Sequence, residues 1–123
     1  MTPQTAVTDD AFRTDGFSPS ALKAIDRDVT SDVRLMPAED RRDGVVRMGM
    51  WRAEPGTYEV PDSHPGETFV VLKGSGVAEI DGHGSHEVSD GSIVVIPPDT
   101  SARLIVRETI LKVFVAPVAE VSG

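Results

Sequence analysis

Glu67 heads the apolar run Thr68-Phe69-Val70-Val71-Leu72. Side chains alternate between faces along an extended chain. Glu67, Phe69 and Val71 therefore share one face, and Thr68, Val70 and Leu72 the other. With the first face inward, Glu67 stands at the mouth of an apolar cavity, a setting suited to general acid/base work. Tyr58, Val60 and Asp62 share a face in the same way. The inward set is then Met50 or Trp51, with Tyr58, Asp62, Glu67 and Phe69. An aromatic wall with two carboxylates suits small cationic or multi-donor ligands such as amines, ureido groups or polyols. On this reading Glu67 is catalytic, and Tyr58, Asp62, His64, Phe69 and Trp51 contact the substrate. The alternative is an interior filled by its own side chains. Trp51 is then simply core or interface. His83 and His86 lie in or beside a Gly-rich hairpin and can overhang the same mouth, although a solvated loop is their plainer role. Serine-triad chemistry has no support, because no Gly-x-Ser-x-Gly elbow occurs. Gly74-Ser75-Gly76 is no phosphate loop, because no helical pattern follows it.

The elements that must position these residues are short strands. The chain has 123 residues, including 9 Pro and 11 Gly. It carries 17 Val and 6 Ile against 5 Leu, a β-branched excess that favours strands. From residue 45 the pattern predicts eight strands: 45–52, 57–60, 67–73, 77–80, 86–89, 92–96, 102–107 and 110–116. Turn residues separate them at roughly 8–12-residue spacing, which marks a sandwich or barrel. Arg103 and Arg107 alternate with Ala102, Leu104 and Val106 and should face outward. Residues 1–43 read as a polar arm, residues 44–118 as the barrel and residues 119–123 as a tail. Within the arm, Ser18-Pro19 followed by Ser20–Ile25 predicts a helical turn or two, with Ser18 as N-cap.

Charge and composition exclude several classes. Twelve basic against twenty acidic residues give −8, a poor match for a phosphate backbone or an anionic membrane surface. No apolar run approaches the ~20 residues of a spanning helix. The first ten residues do not read as a signal peptide. With no cysteine, disulfides and thiolate sites are excluded, and a cytoplasmic setting is expected. Thr68–Leu72 and Ile93–Ile96 are apolar on both faces, so something covers their outer side. The arm is polar, with Phe12, Phe17, Leu22 and Ile25 as its few apolar anchors. A homodimer through Thr68, Val70 and Leu72, or through Ile93–Ile96, is therefore expected.

Gly56, then Glu67-x6-Gly74, then Gly91-x5-Pro97 resembles the two signature motifs of the cupin superfamily. The runs Met50–Gly56 and Glu67–Gly74 look like the single-domain cupins akin to ureidoglycine aminohydrolase and the ethanolamine-utilisation cupins. The resemblance spans about residues 45–117. It implies an all-β jelly-roll barrel and a small-molecule ligand. The ureidoglycine aminohydrolase likeness would imply Mn²⁺-dependent hydrolysis of a ureido or amino group. The sequence departs from the family pattern at its metal ligands. Asp99 replaces the usual Gly of the second motif, and Ala102 stands where the third His would be. Counting forward from Gly56 puts the two His positions of the first motif on Asp62 and His64. Counting back from Glu67 puts them on Val60 and Asp62, or on Pro61 and Ser63. At most Asp62, His64 and Glu67 therefore remain, one imidazole and two carboxylates, hard enough for Mn²⁺, Fe²⁺ or Mg²⁺. A bound divalent metal is the disfavoured reading, because Pro65-Gly66 must bring His64 and Glu67 together over two residues. Glu67 is expected to point into the barrel beside Tyr58 and Phe69. A metal-free binding or sensor protein is the alternative to an enzyme.

Overall fold

The structure is a computed structural model that describes residues 10–36, 46–60 and 65–117. These contain no helix. Eight strands follow in order: β1 (Ser18–Lys23), β2 (Thr30–Leu35), β3 (Val46–Ala53), β4 (Gly56–Val60), β5 (Glu67–Ile80), β6 (Gly84–Val88), β7 (Ile93–Ile96) and β8 (Ala102–Pro117). Every pairing between them is antiparallel. The fold is the expected all-β jelly roll.

Two long strands hold it together. β5 has 14 residues and β8 has 16. The first half of β5 pairs with β7 and with the end of β8, which in turn pairs with β3. The second half of β5 pairs with β6 and with the start of β8, which pairs with β4. Each long strand thus belongs to both walls. The bend falls at Lys73–Gly76, where the β5–β8 register shifts three times between Val71 and Gly76. Gly74 has φ +108° there, a region that side chains avoid. The sequence pattern splits β5 at Gly74-Ser75-Gly76 and splits β8 near Arg107. The structure instead runs both strands through, bulged rather than broken.

The count of eight is therefore made up differently. Six strands come from residue 46 onward, and the arm supplies β1 and β2. The helical reading of residues 18–25 is corrected. Leu22 and Ala24 pack against the core while Ala21 and Lys23 are exposed, a period of two rather than 3.6. Pairing with β2 outweighs the local Ser-Pro signal, and Pro19 sits on an edge strand, where a missing N–H is tolerated. Asp26 ties the arm to β4, accepting 2.8 Å bonds from the Thr57 amide and hydroxyl. These two bonds lower its pKa below the ordinary carboxyl value.

The inward faces form one core, with Phe69, Val71, Val94, Ile96, Ile110 and Phe114 all buried. The outer face of β3–β8–β5–β7 is also apolar. Register aligns Met48, Val115, Thr68 and Val95 in one cross-strand row. Ile93 is 73% exposed and Val95 is 62% exposed, so the described part of the arm leaves them open. The arm covers a different place. Residues 10–17 lie over β2 and β3, where Phe17 stacks on Arg52 at 4.1 Å and on Arg34 at 5.5 Å.

Candidate functional site

Three neighbouring strands place an ionised pair inside the barrel. Trp51 of β3 is opposite Lys112 of β8, and Lys112 is opposite Val71 of β5. Lys112 shares the inward face with Ile110 and Phe114, and its side chain is 7% exposed. Its ammonium donates to Glu67 Oε2 at the start of β5, a carboxylate 21% exposed. The ammonium also lies 4.0 Å from the centre of the Phe69 ring, 5.1 Å from Trp51 and 5.8 Å from Phe114. Ring faces attract a cation, more strongly when water is excluded. Carboxylate and rings together compensate the desolvation of this charge.

The rings are held from behind. The Trp51 indole donates to Ser31 Oγ at 2.9 Å, and Ser31 passes its own proton to the Leu22 carbonyl at 2.6 Å. Tyr58 meets Trp51 edge-on, with centres 5.1 Å apart at 89°. The Tyr58 hydroxyl donates to the Glu54 carbonyl at 2.8 Å. Burial, then the nearby Glu54 and Asp26 charges, push its pKa up, so it stays a neutral donor. The polar ends of Trp51 and Tyr58 are thus engaged with the protein, and only their rings face the interior.

Glu67, Tyr58, Phe69 and Trp51 therefore gather around one point. Asp62 and His64 lie outside the described residues. Lys112 went unnoticed in the sequence, although Ile110-x-Lys112-x-Phe114 places it on the inward face by simple alternation. The His86 ring bonds the His83 carbonyl at 2.7 Å within the exposed hairpin. Both histidines are exposed on the hairpin.

The interior is almost filled. A cavity of about 20 Å³ remains between Lys112, Phe69, Tyr58, Trp51, Leu22 and Val60, room for a single water. An open groove of about 630 Å³ lies at the barrel end, with Glu59, Glu79, Asp81 and Arg103 on its walls. Arg103 pairs with Glu59 at 3.2 Å, and both are exposed.

The described residues do not fit a divalent cation. No three His, Asp or Glu side chains among them converge. Ala102 brings a buried methyl group to the site, and the Glu67 carboxylate is already held by a cation of the chain's own.

The described residues contain no helix long and apolar enough to cross a membrane. Comparison with curated proteins finds no match. Solved structures show the fold. A cupin-like protein from Thermotoga maritima is 18% identical with a TM-score of 0.66, over 90% of this chain and 83% of its own. EutQ from Clostridium difficile is 17% identical with a TM-score of 0.62, over 75% of this chain and 71% of its own. A putative ethanolamine utilization protein Q from Salmonella typhimurium is 14% identical with a TM-score of 0.62, over 85% of this chain and 98% of its own. The family profile described as the EutQ-like cupin domain matches residues 40–114, and with that span of the barrel matched, the chain belongs to the EutQ-like cupins.

Proposed function

We propose that this cupin binds a small nitrogen-containing or polyhydroxylated metabolite against the Lys112–Glu67 pair, without a divalent metal. The observation that carries the reading is the ammonium of Lys112 on Glu67, enclosed by three rings. An ammonium offers donors and a carboxylate offers acceptors. A ureido, amide or diol group presents both, and it satisfies the pair as it enters. The cavity beside the pair has room for one water at rest. The ligand therefore enters from the acidic groove only as Leu22 and Val60 give way, and that groove favours cationic or multi-donor compounds over anions. Hydrolysis on the ureidoglycine aminohydrolase pattern is less well supported. That likeness implies Mn²⁺, and Ala102 stands where the third His would be. A cytoplasmic setting accords with the absence of cysteine.

Thermal melting of the purified chain against ureido, amino and polyol compounds, with and without EDTA, tests this reading. At about 100 times its Kd a ligand adds about 2.7 kcal/mol. The rise in Tm is expected to survive chelation. A rise abolished by EDTA, or a transition metal retained at one per chain, overturns the proposal.

The partner we propose is a second copy on the outer face of β3–β8–β5–β7, seated on the row Met48, Val115, Thr68 and Val95 with Ile93 beside it. Stable obligate interfaces usually bury above about 2,000 Å². Light scattering at micromolar concentration is expected to read a dimer, and the double variant Ile93→Glu, Val95→Glu a folded monomer. A monomeric parent chain refutes the proposed interface.

A further inference from the structure

Lys112 is a primary amine shut inside the barrel among ring carbons. Its Nζ is within 4.0 Å of the Phe69 ring centre, and its hydrogen bond goes to the Glu67 carboxylate. Lysines that form Schiff bases sit in apolar pockets. Here the carboxylate and rings hold Lys112 as an ammonium, so its amine is freed only by proton transfer to Glu67. Such lysines also need a partner that takes the proton from nitrogen and returns it to the departing oxygen. Glu67 stands in contact with the amine and is the more exposed of the two.

We propose that Lys112 captures a small aldehyde or ketone as an imine, with Glu67 as the proton carrier. The proposal rests on the reading of the barrel as a ligand site and narrows the ligand to a carbonyl compound of one to three carbons. The Lys112 ammonium gives one proton to Glu67. Nζ then attacks the carbonyl carbon, the C–N bond forms, and the π electrons move to oxygen. A proton passes from nitrogen to that oxygen and leaves a neutral carbinolamine. Glu67 protonates the hydroxyl, water departs, and the nitrogen lone pair closes the C=N bond. Carbonyl plus ammonium has become protonated imine plus water. Net charge is unchanged, and no oxidant or reductant takes part. Glu67 ends as a carboxylate facing a cation, as it began. The cavity of about 20 Å³ beside Lys112 has room for the released water. At rest it has room for no more than that one water. A carbonyl compound therefore enters only as Leu22 and Val60, which close its outer side, give way, and that opening sets the size limit.

The chain offers an internal comparison. Its lysines are Lys23, Lys73 and Lys112, and the first two are exposed. The full chain is incubated with millimolar glycolaldehyde and sodium cyanoborohydride, which fixes an imine as a secondary amine, and each lysine is followed by peptide mapping. Lys112 is expected to be alkylated about ten-fold faster than Lys23 and Lys73, although it is the buried one. Glu67→Gln keeps a similar shape and cannot carry the proton. It is expected to slow Lys112 about a hundred-fold and leave the two surface lysines unchanged. Leu22→Ala widens the entrance and is expected to speed Lys112 alone. Labelling of Lys112 no faster than of the surface lysines in the parent chain overturns the proposal, and that comparison needs no variant. An unaltered Lys112 rate in folded Glu67→Gln removes Glu67 from the mechanism. If Lys112 stays unlabelled while polyols or ureido compounds still raise Tm, the imine falls and the binding site stands. If neither is seen, both fall.

Discussion

Glu67→Leu is expected to cost about 3–5 kcal/mol, the penalty for stranding one partner of a buried ion pair. The stranded group is the Lys112 ammonium, whose side chain is 7% exposed. The rings of Phe69, Trp51 and Phe114 then face it without an anion. Lys112→Met is expected to cost less, about 2–3 kcal/mol, because Glu67 is 21% exposed and keeps some water. Glu67→Gln preserves an acceptor and is expected to cost only about 1 kcal/mol. The double variant Glu67→Leu, Lys112→Met replaces the pair with apolar groups of similar size and is expected within about 1 kcal/mol of the parent. Urea unfolding of all four variants measures this. If the two single losses simply add in the double variant, the pair contributes nothing as a pair, and the electrostatic account of the interior is wrong.

The second large effect lies away from the site, where β5 crosses β8. Gly76→Ala is expected to abolish folding or to cost more than about 3 kcal/mol. A methyl group at Gly76 would land on the carbonyl oxygen of Ile105, with Val106 Cα 3.2 Å away. Both obstacles are backbone. Neither can turn aside as a side chain would, so relief means parting β5 from β8. Gly74→Ala meets the Thr109 carbonyl and Ile110 Cα, and it must also hold φ +108°. Gly82→Ala separates the two causes. Its φ is +77° with no atom within 4 Å, so only conformational strain remains, about 1–2 kcal/mol. Circular dichroism and urea midpoints of the three variants give the comparison. A Gly76→Ala protein as stable as Gly82→Ala would mean that the two strands do not approach as described.

The same two glycines show what the sequence could and could not convey. Gly74-Ser75-Gly76 reads as a terminator, because glycine pairs usually mark turns. A strand crossing a neighbour at close range needs the same missing Cβ atoms. Local pattern cannot tell these cases apart, since the neighbour is about 30 residues away, at Ile105 and Thr109. Ser18-Pro19 likewise carries a helix signal that only pairing with β2 overrides. The alternation of Glu67, Phe69 and Val71 did place the carboxylate on the inward face, because burial on one side of a strand is written every second residue. Lys112 obeys the same rule between Ile110 and Phe114, yet a charge in an inward position is easily discounted. What alternation cannot supply is the partner. Glu67 and Lys112 are 45 residues apart, and they meet only because β5 and β8 lie side by side.

The place of β8 in the sheet has a consequence for synthesis on the ribosome. β1, β2 and β3 form one group of paired strands, a meander, and β5 with β6 and β7, each paired to one half of it, forms another. β8, the last of the eight strands, pairs with β3, β4 and β5 and so joins the two. Neither group can close over its apolar face while residues 102–117 are still untranslated. Until β8 pairs, Phe69, Val71 and Val94 lack the strand that completes their cover, and a nascent chain of this kind is a natural client for chaperones that shield apolar strands. Slow codons placed before β8 would lengthen the wait and lower soluble yield.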